Sequence, residues 1–136
     1  SPTSRFVAEF MGDNNMIPVE FLGSDSGRST VKLASGEVVA APGMQPHNIG
    51  EKVVLCIRPE DIDLYPPSSE PPNTNRFKGV VEQRIYRGAV NRYEVRIDGH
   101  VEKIVVDSPS RNLPHVAGDP VSVVWSADRC TLVSAL

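Results

Sequence analysis

An internal duplication restricts the fold of this chain more than any other feature of its sequence. Residues 50–64 align with residues 118–132 without a gap. Both segments read as glycine, an acidic residue, a strand, a short polar corner that carries an acid, and a strand that ends in leucine. Because one such unit is too small to bury a core alone, we expect two copies that pack together.

The pattern between these segments predicts short strands. The 136 residues include 12 prolines and 10 glycines, a density that breaks long helices. Residues 92–97 alternate strictly, with Tyr93, Val95 and Ile97 on the apolar face, and the following Asp98-Gly99 is typical of a hairpin turn. About ten such strands separated by turns indicate an all-β barrel or sandwich.

Two segments depart from this strand pattern. Only the first dozen residues predict a helix, because Phe6, Val7, Phe10 and Met11 have helical spacing. Prolines are concentrated in residues 65–73, which cannot pair in a sheet and form a linker. We therefore expect a first lobe over residues 16–66, a proline-rich linker over 67–75 and a second lobe over 76–136.

The sequence lacks the common motifs of catalytic and metal sites. It contains neither a Gly-x-x-x-x-Gly-Lys-Ser/Thr phosphate loop nor a Gly-x-Gly-x-x-Gly fingerprint. The three histidines have no ligand spacing with Cys56 and Cys130, which lie in or beside apolar stretches and are expected to be buried thiols. We expect this segment to contain no catalytic residue, no metal site and no cofactor.

A basic cluster in the second half raises the alternative of nucleic-acid binding. Tyr86 and Tyr93 are interleaved with it, as in a stacking platform with a cationic groove. However, the formal net charge is −3, and Tyr93 falls on the face opposite to the arginines. We expect no nucleic-acid partner. The cluster comprises Arg76, Lys78, Arg84, Arg87, Arg92 and Arg96.

Three segments resemble a known family in the expected order along the chain. Residues 6–15 are similar to the junction between the ATPase domain and the C-terminal accessory domain of certain ABC importers. Residues 56–62 resemble the Arg-Pro-Glu corner of that accessory domain, and residues 77–81 resemble its last repeat. The family is the transport-associated OB (TOBE-type) domain of importer ATP-binding subunits.

The resemblance implies a fold of two interleaved OB-like barrels with a short N-terminal helix. It implies that residues 1–15 are a junction segment, and that an ATPase domain holding ATP and Mg²⁺ lies upstream in a longer parent. It further implies a homodimer of ATP-binding subunits, permease partners, a cytoplasmic location at the inner face of the membrane, and uptake of a polyamine or ferric iron. In this family the accessory domain regulates and dimerises, and in some members it receives a signal from a protein or the solute.

The resemblance also suggests where an interface lies. Arg58, Glu60 and Asp61 form the corner after a predicted strand, where a dimer contact and a corner-stabilising charge pair are alternatives. Tyr86 and Arg87 lie at a strand end where a ligand contact and a glycine-permitted turn are alternatives. Two other functions stay open for the whole chain: a stand-alone binder of small anions or solutes, and a protein that binds single-stranded nucleic acid.

Overall fold

The described part of the chain is built from β-strands. A computed structural model describes residues 13–43, 47–100 and 103–135, in which ten strands and two 3-10 turns are found. The strands are β1 Asn15–Asp25, β2 Arg28–Lys32, β3 Val38–Pro42, β4 Lys52–Ile57, β5 Asp63–Tyr65, β6 Asn75–Tyr86, β7 Val90–Ile97, β8 Lys103–Pro109, β9 Pro120–Trp125 and β10 Thr131–Ser134. The 3-10 turns span Pro59–Asp61 and Ala127–Arg129. The all-β prediction is confirmed, and the predicted N-terminal helix lies outside the described residues.

One compact unit, the first unit, contains the described residues up to Arg58 together with the described residues from Ser126 onward. Its five antiparallel strands follow the order β10-β4-β1-β2-β3. Because β3 lies beside β10, the sheet curls into a small barrel. Phe21, Val31 and Leu55 are among the side chains that fill its interior.

The second unit is the continuous segment Pro59–Trp125. Its five antiparallel strands follow the order β5-β9-β6-β7-β8, and β5 lies beside β8. Phe77, Tyr93 and Trp125 are its largest fully buried side chains, and the ring centroids of Phe77 and Trp125 are 5.2 Å apart. The predicted apolar face of β7 is therefore confirmed, and Trp125 is a core residue.

The two units differ in their bounds from the contiguous lobes expected over residues 16–66 and 76–136. The chain enters the second unit at Pro59 and leaves it after Trp125. The reason lies in strand pairing, because β5 follows β4 but pairs with β9, and β10 follows β9 but pairs with β4. Each copy of the repeat thus contributes its last strand to the sheet of the other copy.

The duplication extends to the hydrogen bonds of one turn. In the second unit, the N–H of Gly118 donates to Val81 O at 2.7 Å, and the N–H of Val81 donates to Asp119 O at 2.9 Å. The first unit has the same two bonds around Gly50, at 2.8 and 2.9 Å. Both glycines have a left-handed φ, 93° and 88°, which a glycine adopts without strain. The repeated glycine-acid pair is therefore the turn that leads into β4 and β9.

The two cysteines belong to the core of the first unit. Both are buried, and neither forms a disulfide. The thiol of Cys130 donates to Ala127 O in the adjoining 3-10 turn at 3.4 Å. The expectation of two buried thiols is confirmed.

Gly79 on β6 occupies a position with no room for a side chain. A Cβ there would stand 2.8 Å from Val95 Cγ1 and 3.0 Å from Arg96 O. We expect Gly79→Ala to lower the free energy of unfolding by about 1 to 3 kcal/mol, because core atoms and backbone must shift to admit the methyl group. Urea unfolding measures this change. The exposed neighbour Lys78 provides the control, and Lys78→Ala should alter stability by less than about 0.5 kcal/mol. An equally small effect at Gly79 would contradict the tight packing.

Candidate functional site

The interior of the second barrel changes from apolar to polar at one end. Along β8, Ile104 and Val106 are buried, and the next inward position is Ser108. Asn91 on β7 lies directly opposite Ser108 in the ladder and is 4% exposed. Residues opposite each other in a ladder share a face of the sheet. Inward barrel positions are apolar unless a function requires otherwise, so this polar pair marks a candidate site.

A cleft of about 560 Å³ is lined in part by Ser108. It follows the seam where β5 and β8 approach each other without pairing. Its mixture of apolar walls and a few polar groups is typical of a small-molecule site. The lining residues are Asp63, Leu64, Tyr65, Pro66, Ser108, Asn112, Leu113, Pro114 and His115.

Asp63 supplies the carboxylate of the cleft, whose lining contains neither lysine nor arginine. Within the described residues, no side chain or backbone group forms a hydrogen bond or ion pair with this carboxylate. Asp63 remains exposed at the opening, yet partial burial of its carboxyl raises the pKa. The charged form of Asp63 therefore lacks a compensating positive charge from the part of the chain that the structure describes.

The opposite wall of the cleft is attached to the barrel by polar and aromatic contacts. The backbone N–H of His115 donates to Tyr93 Oη at 3.0 Å, and the two rings meet edge to face at 5.7 Å between centroids. Asn112 Nδ2 donates to Ser108 Oγ at 3.3 Å. Since Tyr93 is buried in β7, these contacts attach this wall of the cleft to the core of the second barrel.

The corresponding end of the first barrel is filled. By strand register, the pair Ser29–Ala41 corresponds to Tyr93–Val106, and Gly27 and Gly43 occupy the positions of Asn91 and Ser108. The backbone at Gly43 packs so closely on Ser29 that a Cβ at this glycine would overlap the hydroxyl. The duplicated scaffold has therefore diverged at this end, and the polar pair beside the cleft belongs to the second copy.

The residues predicted as a dimer or regulatory interface do not line this cleft. Arg58 is exposed and is the last residue of the first unit before the chain crosses to the second. Glu60 is exposed and Asp61 half-buried in the first 3-10 turn. Tyr86 ends β6 with 70% of its surface exposed, and Arg87 beside it is exposed as well.

Three of these residues, Glu60, Asp61 and Arg87, lie near β8. The first 3-10 turn, with Glu60 and Asp61, packs against β8. Arg87 lies close enough to Asp107 on β8 to contribute to the lowered pKa of that carboxyl, although Arg92 is the main cause. Within the second unit, these three residues thus lie near β8, whereas Tyr86 lies at the end of β6 opposite Asn91 of β7.

The basic cluster is interrupted by carboxylates. Arg92 donates from Nε and Nη2 to the two carboxylate oxygens of Asp107, both at 2.8 Å. Arg96 and Arg76 also pair with acidic residues, each at 3.2 Å. A groove that tracks a nucleic-acid backbone needs a continuous run of positive charge, and these pairs break the run.

The residues of the cleft were not predicted from the sequence. One signal was available, because Asn91 and Ser108 place polar side chains on the inward faces of otherwise apolar strands. The convergence of Asp63 with Asn112 and His115 had no local signal. In the described residues, no group of three or more potential metal ligands comes together. These residues also contain no helix whose length and apolar character would carry it through a bilayer.

The two barrels and their exchanged strands define a protein of the OB-like class. The TOBE domain family matches residues 55–133, which is more than half of the chain. The chain therefore belongs to the TOBE domain family. This confirms the resemblance that the sequence motifs indicated.

Curated relatives extend the similarity over almost the whole chain. The spermidine/putrescine import ATP-binding protein PotA of Pseudomonas aeruginosa (strain UCBPP-PA14) is 33% identical over 138 residues, which cover 98% of this chain and 38% of that protein. PotA of Ruegeria pomeroyi is 29% identical over 129 residues, which cover 93% of this chain and 33% of that protein. The chain thus spans about one third of the length of these relatives.

A solved structure supports the fold independently. The cytoplasmic molybdate-binding protein ModG superposes with a TM-score of 0.77 at 17% sequence identity, over 89% of this chain and 96% of that one. At this identity the likeness concerns the fold alone. It agrees with the predicted pair of OB-like barrels.

The Arg92–Asp107 pair predicts a pH dependence of stability. Hydrogen bonds from Arg92 lower the pKa of Asp107 in the folded state, so the pair stabilises the fold above the unfolded-state pKa and loses this effect as the pH falls through the folded-state pKa. We expect Asp107→Asn to lower the free energy of unfolding at pH 7 by about 1 to 3 kcal/mol, since the side chain is largely buried. The difference in free energy of unfolding between the variant and the unsubstituted chain should become smaller as the pH falls. Denaturant unfolding from pH 7 to pH 3 measures it, and a deficit independent of pH would contradict this role for the pair.

Proposed function

We propose that this chain is the accessory domain of the ATP-binding subunit of an ABC importer, and that it joins and regulates two such subunits in a homodimer. The proposal rests mainly on one observation. The chain aligns over 93% and 98% of its length with subunits named for spermidine/putrescine import, but accounts for only about one third of each. The TOBE match to residues 55–133 lies within this aligned part.

The proposal separates regulation from ATP hydrolysis. The sequence has no phosphate loop, so ATP, Mg²⁺ and the coupling to permease subunits belong to the rest of the parent protein. The names of the relatives favour a polyamine over ferric iron as the transported solute. A subunit of this kind works in the cytoplasm at the inner face of the membrane.

Exposed residues of the second unit supply the proposed interface. Tyr86 is a large aromatic side chain that remains 70% exposed, and Arg87 follows it. Tyrosine and arginine are enriched among the residues that dominate binding energy in protein interfaces. Glu60 and Asp61 on the first 3-10 turn, which packs against β8, belong to the same proposed interface, where acidic groups would contribute mainly to orientation and specificity.

The two alternatives receive less support. Binding of single-stranded nucleic acid is disfavoured by the carboxylates that pair with Arg76, Arg92 and Arg96. A stand-alone binder of small oxyanions would need positive side chains, and the lining of the described cleft has no lysine or arginine.

The gene provides a direct test of the parent protein. We expect the reading frame upstream of the codon for Ser1 to encode Gly-x-x-x-x-Gly-Lys-Ser/Thr within an ATPase domain, because the relatives are about three times as long as this chain. Sequencing the upstream reading frame shows whether it encodes this motif. A stop codon directly upstream, or a frame without this motif, would contradict the proposal.

The interface can be tested by sedimentation equilibrium of the purified parent protein. We expect a dimer, and we expect the double substitution of Tyr86→Ala with Arg87→Glu to weaken dimerisation at least about tenfold, as for residues that dominate an interface. Lys78→Glu is the matched control, because it reverses a charge at another exposed position of β6 and should leave the dimer constant within about twofold. Equal dimer constants for all three proteins would exclude this surface as the interface.

A further inference from the structure

We propose that two subunits meet through two complementary surfaces of their second units, with the basic end of one barrel facing the acidic stretch 60–63 of the other subunit. The basic end comprises residues 84–90 and 110–116. The inference rests on the proposed homodimer and specifies which surfaces of the two subunits meet.

The hairpin between β6 and β7 is longer than its counterpart in the first copy of the repeat. Two residues separate the ladder partners Asp25 and Arg28 at the end of the β1–β2 hairpin. Six residues separate Ile85 and Arg92, which occupy the same positions after the bulge of β6. The second copy of the repeat therefore has four additional residues at the tip of this hairpin.

The segment between β8 and β9 is longer as well. Six residues lie between Gly43 and Gly50 in the first copy of the repeat. Nine residues lie between Ser108 and Gly118, which occupy the corresponding positions in the second copy. This segment has thus gained three residues.

The two longer segments contact each other. The N–H of Ser110 donates to Ala89 O at 2.9 Å, and its hydroxyl donates to Gly88 O at 2.6 Å. Surface segments tolerate insertions and commonly carry the functional residues of a domain. Together they give the second barrel a surface for which the first copy of the repeat has no equivalent.

The basic end combines exposed apolar side chains with positive charge. Tyr86, Leu113 and Val116 are 70%, 89% and 59% exposed, and they are three of the five exposed large hydrophobic side chains in the described residues. The two segments contain three arginines, all of them exposed, and neither segment contains Asp or Glu. An exposed apolar patch with charge of one sign is typical of a surface that binds a partner of opposite charge.

Residues 60–63 carry the opposite charge. Glu60, Asp61 and Asp63 lie within four residues, and residues 59–66 contain neither lysine nor arginine. Glu60 is exposed and forms no ion pair within the described residues. Asp63 is also exposed, and it leaves β5 on the side opposite to Leu64. The stretch therefore presents negative charge at the surface of the second unit.

A second subunit compensates both surfaces at once. If two basic ends met each other, arginines would face arginines, and like charges opposed across an interface disfavour association. A two-fold axis also allows each basic end to meet one acidic stretch, so that the same contact forms twice. Partial burial raises the pKa of Asp63, and an arginine of the other subunit would supply the counter-ion that the described residues lack. A nucleic acid would compensate the basic end alone.

Sedimentation equilibrium of the purified parent protein tests this pairing with two double substitutions. Arg87→Glu with Arg111→Glu reverses charge at the basic end, and Glu60→Arg with Asp63→Arg reverses charge in the acidic stretch. We expect each variant alone to have a dimer dissociation constant at least about tenfold above that of the parent, because both contacts of its homodimer become repulsive.

An equimolar mixture of the two variants distinguishes this pairing from a general effect of charge. In a mixed dimer, the reversed end of one variant meets the reversed stretch of the other, and the two unchanged surfaces meet each other. We therefore expect the mixture to dimerise within about threefold of the parent constant. If basic ends met each other, reversal of the acidic stretch would leave the dimer constant unchanged. That result, or a mixture as weak as its components, would overturn the proposal.

Lys78→Glu and Asp98→Arg are the matched controls, because each reverses an exposed charge of the second unit outside the two surfaces. Both should leave the dimer constant within about twofold. Losses as large as those of the double substitutions would show a non-specific effect of charge and would contradict the pairing.

Leu113→Ser tests the apolar part of the basic end without a change of charge. Because Leu113 is 89% exposed, the substitution should not affect folding, and we expect it to weaken dimerisation about three- to tenfold. Far-UV circular dichroism verifies that each variant is folded. An unchanged dimer constant for Leu113→Ser would exclude the basic end from the interface, even if a charge-reversed variant failed to fold.

The outcomes separate this inference from the proposed homodimer. A monomeric parent protein would contradict both. A dimeric parent whose constant is unchanged by these substitutions would overturn the pairing of surfaces alone.

Discussion

The exchange of terminal strands between the two sheets is the pairing on which the rest of this structure depends. β10 supplies the outer neighbour of β4, and β5 supplies the outer neighbour of β9. Without these strands, β4 and β9 would present unpaired backbone groups at the edge of each sheet, an arrangement that invites aggregation. The exchange also explains why neither unit corresponds to one uninterrupted copy of the repeat.

The same exchange creates the cleft of the second unit. β5 is the strand contributed by the first copy of the repeat, and it approaches β8 without completing the ladder. Asp63 therefore comes from one copy of the repeat, whereas Ser108 and His115 come from the other. Duplication supplied two similar barrels, and substitution at a few inward positions left one end filled and the other polar.

Membership of the TOBE domain family and the proposed roles concern different surfaces of the second unit. The family follows from the match over residues 55–133. The proposed interface comprises exposed residues such as Tyr86 and Arg87, whereas the cleft between β5 and β8 is a recess whose lining does not include them.

The sequence by itself determined the strands, the duplication, the buried cysteines and the inward face of β7, because these follow from local alternation, turn residues and repeat spacing. It also determined the family. Only the tertiary structure decided which sheet β5 and β10 join, because backbone hydrogen bonds between distant strands carry no local sequence signal. Asp63 and His115 look like ordinary surface residues in the sequence. Their meeting in one cleft depends on long-range strand pairing, which local periodicity does not encode.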